Sequence, residues 1–166
     1  MYLCKIASLE EVNRKWDYEI GRNAHDRKNW IIWKRQFLEK LQKGDILPYY
    51  GILDGNIICE ATAMLNPESV QNSDGLVGNS IVYLSAFRTI AEYQGKGYFS
   101  KLMKFMLDDL KHKGMEKATL GVECDKDATK KIYVHYGFTE YIKSATETYP
   151  DGTVIEVDYY GKTLLK

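Results

Sequence analysis

Residues 81–123 carry a strand, a glycine-rich break, an amphipathic helix and a second strand in direct succession, and this order constrains the fold more than any other stretch of the chain. Across 98–113, Leu102, Met106 and Leu110 recur at helical spacing with Met103 and Leu107 beside them. Lys101, Lys104, Asp108 and Lys111 lie elsewhere around the helix, and Gly114 ends it. Residues 118–123 then read as a strand. Two strands joined through a helix pair in parallel, because only a crossover of that length returns the chain to the same end of a sheet.

The flanks demand the opposite pairing. Asp54-Gly55-Asn56 joins strands at 49–53 and 57–65, and Asp151-Gly152 joins 138–149 to 153–161; both are hairpin turn signals. A parallel crossover between antiparallel hairpins gives a mixed sheet in an α/β fold. Two helices precede it. Ser8 and Glu11 form a capping box that opens a helix over 8–19. Trp30, Trp33, Phe37 and Leu41 recur at helical spacing over 26–43, with Gly44 as the stop. That aromatic stripe reads first as core packing and second as one wall of an acceptor pocket. Residues 66–80 form a polar loop, and 127–135 a short helix.

Length and charge bound what the chain does. Its 166 residues fit one domain, 1–166, with one core. Lys plus Arg equals Asp plus Glu, 23 against 23, so the basic excess of a nucleic-acid binder is missing and no nucleic-acid partner is expected. Cys4, Cys59 and Cys124 lie far apart, and His25, His112 and His135 lack ligand spacing, so no metal site is expected. The N-terminus has no apolar run of the signal-peptide kind, and nowhere do about 18 apolar residues run together. The expected compartment is the cytoplasm, with no membrane partner.

The break itself is chemically suggestive. Gln94-Gly95-Lys96-Gly97 lies between a strand and a helix, where glycines let the backbone approach a ligand and aim successive N–H groups one way. The helix N-terminus adds about half a positive charge. The combination suits a phosphate or pyrophosphate, with Lys96 adding a direct charge; taken alone, it is equally a turn that binds nothing. A dinucleotide fingerprint fits poorly, since Ser100 replaces the last glycine of G-x-G-x-x-G, and the P-loop pattern is absent.

A second motif follows about thirty residues on, in Tyr133, Gly137 and Phe138. With Gln94-Gly95-Lys96-Gly97 upstream and one helix and one strand between them, the sequence resembles the GCN5-related N-acetyltransferase (GNAT) family. That family's motifs run Gln/Arg-x-x-Gly-x-Gly/Ala and Tyr-x-x-x-Gly-Phe. The clear resemblance covers residues 81–141. This chain departs from the family pattern at Phe99, Ala91 and Lys126.

The resemblance implies the GNAT fold: a mixed, mostly antiparallel sheet whose central parallel strand pair splays around the cofactor, flanked by helices. It implies acetyl-CoA as cofactor and transfer of its acetyl group to a primary amine by direct attack. The alternative is a non-catalytic acyl-CoA-binding module. The acceptor is a small amine, an aminoglycoside-like compound, a polyamine or a peptide N-terminus. Phe87, Arg88 and Thr89 would contact the pantetheine arm through their main chain, and Gly95, Lys96, Gly97, Tyr98, Phe99 and Ser100 would hold the pyrophosphate. Tyr133 is the candidate acid, since a phenol with a pKa of about 10 stays protonated at neutral pH. Glu123 and Glu60 are candidate bases, each equally readable as a salt-bridged residue. Arg88 stands open between substrate contact and solvent exposure, and His135 points away from Tyr133 on its helix. Homodimers are frequent among proteins of this kind.

Overall fold

The computed structural model describes residues 1–164. In chain order the elements are β1 (Tyr2–Ile6), α1 (Leu9–Arg22), α2 (Arg27–Lys43), β2 (Ile46–Leu53), β3 (Asn56–Met64), β4 (Ile81–Thr89), α3 (Tyr98–His112), β5 (Lys117–Glu123), α4 (Asp127–His135), β6 (Glu140–Thr148) and β7 (Val154–Thr163). The seven strands form one mixed sheet in the order β1-β2-β3-β4-β5-β7-β6. The β4–β5 pair is parallel and every other pair antiparallel.

Local chemistry sets several boundaries. The Ser8 hydroxyl accepts from the Glu11 N–H at 3.2 Å, and Glu11 accepts from the Ser8 N–H at 2.8 Å, so the capping box opens α1. Gly44 closes α2 at a φ of 77°. Asp54 and Gly55 both take positive φ in the β2–β3 turn, as a two-residue type I′ hairpin requires. Strand β1 departs from the sequence expectation, which placed no element before the first helix. It pairs with β2 from Tyr2–Leu53 to Ile6–Tyr49. β2 begins at Ile46 rather than 49, and β6 at Glu140 rather than 138.

The two faces carry different helices. On one, α1 and α2 bury Val12, Trp16, Trp30 and Phe37 against Tyr50 and Ile52. On the other, Leu102, Met103, Met106 and Leu110 of α3 pack on Tyr49, Ile58, Val82 and Leu84, and Tyr133 of α4 packs beside them. The alternation of Tyr49 and Tyr50 between the faces is the period-two pleat of β2.

Two irregularities in β4 build the site. The β4–β5 ladder runs from Ile81–Lys117 to Leu84–Leu120 and ends there, while β5 continues along β7 to Glu123–Val157. The far halves of the parallel strands therefore part, opening a gap beside residues 85–89. On the β3 side the pairing steps from Thr62–Ser85 to Glu60–Arg88, so Ala86 and Phe87 together oppose Ala61. This is a β-bulge, and Ala86 adopts a left-handed φ of 56° to make it.

Candidate active site

The bulge decides which way the next two side chains point. Leu84 faces α3, so an unbroken pleat would turn Phe87 toward α1 and Arg88 toward α3. With one residue inserted, Phe87 instead joins Phe99 and Tyr133 on the α3 side, at ring distances of 5.8 and 5.3 Å. Arg88 turns to the α1–α2 face, its guanidinium 4.6 Å from the Trp30 ring centre.

Main-chain directions follow the same logic. The Ile90 N–H donates to Ile58 O of β3 at 2.9 Å, and Arg88 pairs with Glu60. Residues two apart share a direction, so Arg88 gives its main-chain groups to the β3 ladder. Phe87 and Thr89 turn theirs into the gap. Arg88, one of the three residues expected to meet a pantetheine arm through the main chain, is registered with Glu60 of β3. The Thr89 carbonyl accepts from Gln94 Nε2 at 3.1 Å, which ties the loop to the strand.

The loop supplies an anion cradle. Gly95 and Gly97 have φ of 73° and 85°, backbone that L-residues rarely adopt. Gly97 occupies the N-cap of α3, and no side chain caps the helix. The first N–H groups of this fifteen-residue helix therefore stay available at its positive end. Strand β1 braces this end: the Tyr2 hydroxyl donates to the Tyr98 carbonyl at 2.8 Å.

Between the loop and α4 lies a groove of about 750 Å³, within the range of small-ligand sites. Phe87, Arg88, Thr89, Gly95, Gly97, Tyr98, Phe99 and Ser100 all line it, and Tyr133 lines its far wall. Lys96 does not line it; its ammonium lies 5.9 Å from the Tyr93 ring centre. Where the GNAT motif carries Gly or Ala, Phe99 contributes an aromatic wall, 6.1 Å from Tyr136. Ser100 and Tyr136 share a hydroxyl–hydroxyl hydrogen bond of 2.7 Å. The Tyr133 hydroxyl makes no hydrogen bond among the described residues, and burial pushes its pKa up to about 12.

A second cavity, about 420 Å³, lies between α1, β3 and the end of β4. It meets the groove at Arg88 and Tyr93, which line both. Glu60, 3% exposed, is among its lining residues, and its Oε2 lies 2.7 Å from Lys15 Nζ. Burial raises the Glu60 pKa and lowers that of Lys15, although each partner pulls the other the opposite way. Taking both charges out of water costs more than their mutual attraction returns, so both directions hold together. The Arg88 guanidinium lies 3.7 Å from Glu19 and 3.9 Å from Glu60, beyond hydrogen-bond range.

Of the two candidate bases, Glu60 is thus placed at a cavity that adjoins the groove. Glu123 lines neither cavity; it ends β5, 3.9 Å from Lys126. His135, set aside on sequence grounds, lines the groove with Tyr136. Sequence reasoning missed Tyr136 and the α1 residues Lys15 and Glu19. Tyr136 carried a signal, standing one helical turn after Tyr133. Lys15 and Glu19 stand four apart on one α1 stripe, a charged pair on the buried side of an amphipathic helix.

Among the described residues no three His, Cys, Asp or Glu side chains converge as a metal site, and no helix is long and apolar enough to cross a membrane. The Acetyltransferase (GNAT) family pattern matches residues 9–138. N-alpha-acetyltransferase 30 of Schizosaccharomyces pombe is 32% identical over 71 residues, which cover 43% of this chain. The match spans 47%, about half, of that protein's length. The ribosomal-protein-S18-alanine N-acetyltransferase of Escherichia coli superposes with a TM-score of 0.71 at 15% identity, covering 100% of this chain and 96% of that one. Arabidopsis thaliana NAA60 in complex with acetyl-CoA superposes with a TM-score of 0.70 at 14% identity, covering 98% of each chain. With its splayed parallel pair and its glycine cradle at the head of α3, this chain belongs to the acetyltransferase (GNAT) family.

Proposed function

We propose that the chain is an N-acetyltransferase that moves an acetyl group from acetyl-CoA to a primary amine by direct attack. The observation that carries this reading is the meeting of two cavities at Arg88 and Tyr93, one floored by an anion cradle and the other by a buried carboxylate. The residues fit the donor. The uncapped N-terminus of α3 with Gly95 and Gly97 suits a pyrophosphate, and the open edge of β4 at Phe87 and Thr89 suits an amide-bearing arm. Phe87, Phe99 and Tyr133 form an aromatic wall of the groove.

The donor supplies an acetyl thioester: the amine nitrogen bonds to its carbonyl carbon, the C–S bond breaks, the amine loses one proton and the sulfur gains one. On the chain's side, Tyr133 holds a protonated hydroxyl within the groove. The Phe87 N–H, turned into the gap, is placed to donate to the carbonyl oxygen. Glu60, whose pKa is raised by burial, is the better placed of the two candidate bases.

Two of the relatives named above, from Schizosaccharomyces pombe and Escherichia coli, are N-acetyltransferases by name, which supports the reaction class and leaves the acceptor open among amines. The test is thiol release from acetyl-CoA across a panel of amines, antibiotics and peptides. Amine-dependent release is expected. Tight CoA binding without release on any amine would identify a binding module instead, and selective binding of a dinucleotide would overturn the donor assignment.

A further inference from the structure

The 420 Å³ cavity is lined by balanced fixed charges, Arg14, Lys15 and Arg88 against Glu19, Glu60 and Glu92. A polyamine or an aminoglycoside is a multiple cation and calls for an excess of carboxylates, which this cavity does not offer. Two of its charged groups nevertheless have unused hydrogen-bonding capacity. Glu60 engages Lys15 through Oε2, while its buried Oε1 has no hydrogen-bond partner among the described residues. Arg88 donates no hydrogen bond among the described residues either, yet the Trp30 ring fixes its guanidinium in place. A buried acceptor and a forked donor that is 41% exposed thus line one cavity without hydrogen-bonding each other. Their complement is a ligand with an N–H donor and an oxygen acceptor on neighbouring atoms.

We infer that the acceptor is an α-amino-acyl group, a primary amine whose adjacent carbon bears a carboxylate or amide carbonyl. Arg88 holds the oxygen with its fork, and the amine lies on the Glu60 side. This rests on the acetyltransferase reading above and narrows its acceptor. Because Arg88 lines both cavities, an oxygen anchored there keeps the amine within a few bonds of the junction where the acetyl group must arrive. The chemistry of the amine agrees. A peptide N-terminal amine has a pKa of about 7.7–8.0 against about 10.4 for an alkyl amine of the Lys type, so more of it is unprotonated and nucleophilic at neutral pH; a free amino acid, whose carboxylate holds the ammonium, lacks this advantage. Free amino acids and peptide N-termini share this N–C–C=O unit. Arg88 is then a specificity-determining residue.

The test compares alanine, a tetrapeptide beginning with alanine, ethylamine and spermidine on the wild-type chain and on Arg88→Met and Arg88→Lys. Two readouts are taken: calorimetric binding to the protein saturated with CoA, and thiol release from acetyl-CoA. Alanine or the peptide should exceed ethylamine and spermidine by about 10- to 100-fold in kcat/KM. In Arg88→Met that ratio should collapse, through KM more than kcat, and Arg88→Lys should restore part of it. Preference for alanine identifies a free amino acid as the source, and preference for the peptide identifies an N-terminus. Ethylamine or spermidine serving as well as alanine and the peptide, a ratio unmoved by Arg88→Met, or failure of both alanine and the peptide to bind would each overturn the inference. Arg88-dependent binding without thiol release on any amine would leave the pocket assignment standing and sink the transferase reading.

Discussion

Replacing Tyr133 by Phe removes one oxygen from the groove and leaves the rest of its wall in place, because the ring that packs 5.3 Å from Phe87 remains. Burial lifts the phenol to about 12, whereas an unperturbed thiol has a pKa of about 8.5. The phenol is then the weaker acid by roughly 3.5 units, and complete proton transfer to sulfur would run uphill by up to about 5 kcal/mol. That figure is an upper bound, since the burial that lifts a phenol lifts a nearby thiol as well. In the proposed mechanism the hydroxyl would therefore act chiefly as a hydrogen-bond donor to sulfur as negative charge grows there. A hydrogen bond to a charged group is worth about 1.5–3 kcal/mol, which corresponds to about 10- to 150-fold in rate. Steady-state thiol release should show kcat falling by that factor in Tyr133→Phe, with the KM for acetyl-CoA within about twofold of wild type. Any alkaline limb below pH 10 should persist in the variant, because a phenol titrating near 12 does not cause it. An unchanged kcat would refute the role, and a change confined to KM would reduce Tyr133 to a wall of the groove.

Glu60→Gln should cost about 3–5 kcal/mol in urea unfolding, because it leaves the Lys15 ammonium buried without its counter-charge. The double change to Met at both positions should return close to wild-type stability, and an equal loss in both variants would show that the pair is not the cause. Gly97→Ala forces a left-handed φ of 85° on a residue with a Cβ and should lose about 1–2 kcal/mol along with CoA affinity. Gly21→Ala in α1, where a Cβ meets nothing within 4 Å, should gain about 0.4–1 kcal/mol, and thermal melts separate the two. Tyr49, Tyr50, Tyr83 and Tyr159 all have pKa values raised, first by burial, above an unfolded value of about 10. Their contribution is whole below pH 10 and is lost as pH rises above it, at about 1.4 kcal/mol per pH unit for each. A urea midpoint unchanged between pH 9 and 11 would refute this.

How legible the chain was depended on whether a feature is local. The crossover from β4 through α3 to β5 was readable because Leu102, Met106 and Leu110 mark one helical stripe and the glycine turns mark its ends. The α1 cap and the β2–β3 turn were readable for the same reason: Ser8 with Glu11, and Asp54 with Gly55, solve their backbone problem within four residues. β1 was not readable. Its five residues carry no turn signal, and what makes them a strand is the edge of β2, some forty residues away in the chain. The aromatic stripe of α2 is core, and no α2 residue lines either cavity. Trp30 and Phe37 are core, while Trp30 also supports Arg88 and Trp33 meets Tyr149 of the last hairpin. The sequence put Glu60 mid-strand and Glu123 near a strand end, and for each left a base and a surface or salt-bridged residue as alternatives. Only the packing of α1 over β3 separates them, by burying Glu60 with Lys15 and leaving Glu123 at a strand end.

The residue on which the whole site turns is one that no pattern marks. Ala86 has no polar group, lines neither cavity and sits inside an ordinary apolar run, yet its φ of 56° inserts the extra residue into β4. Without that insertion Phe87 would enter the α1–α2 face and Arg88 would point into the groove, setting a cation among the aromatic walls and a ring among buried carboxylates. With it, adjacent residues serve opposite faces: Phe87 shapes the donor side, and Arg88 reaches Trp30, Glu19 and Glu60 on the other. The same bulge shifts the alternation of main-chain groups, so that Phe87 and Thr89 present theirs to the gap just where β5 has parted from β4. A left-handed alanine costs roughly 1–3 kcal/mol. The structure meets that cost next to Arg88, where the groove at the head of α3 and the cavity at Glu60 meet.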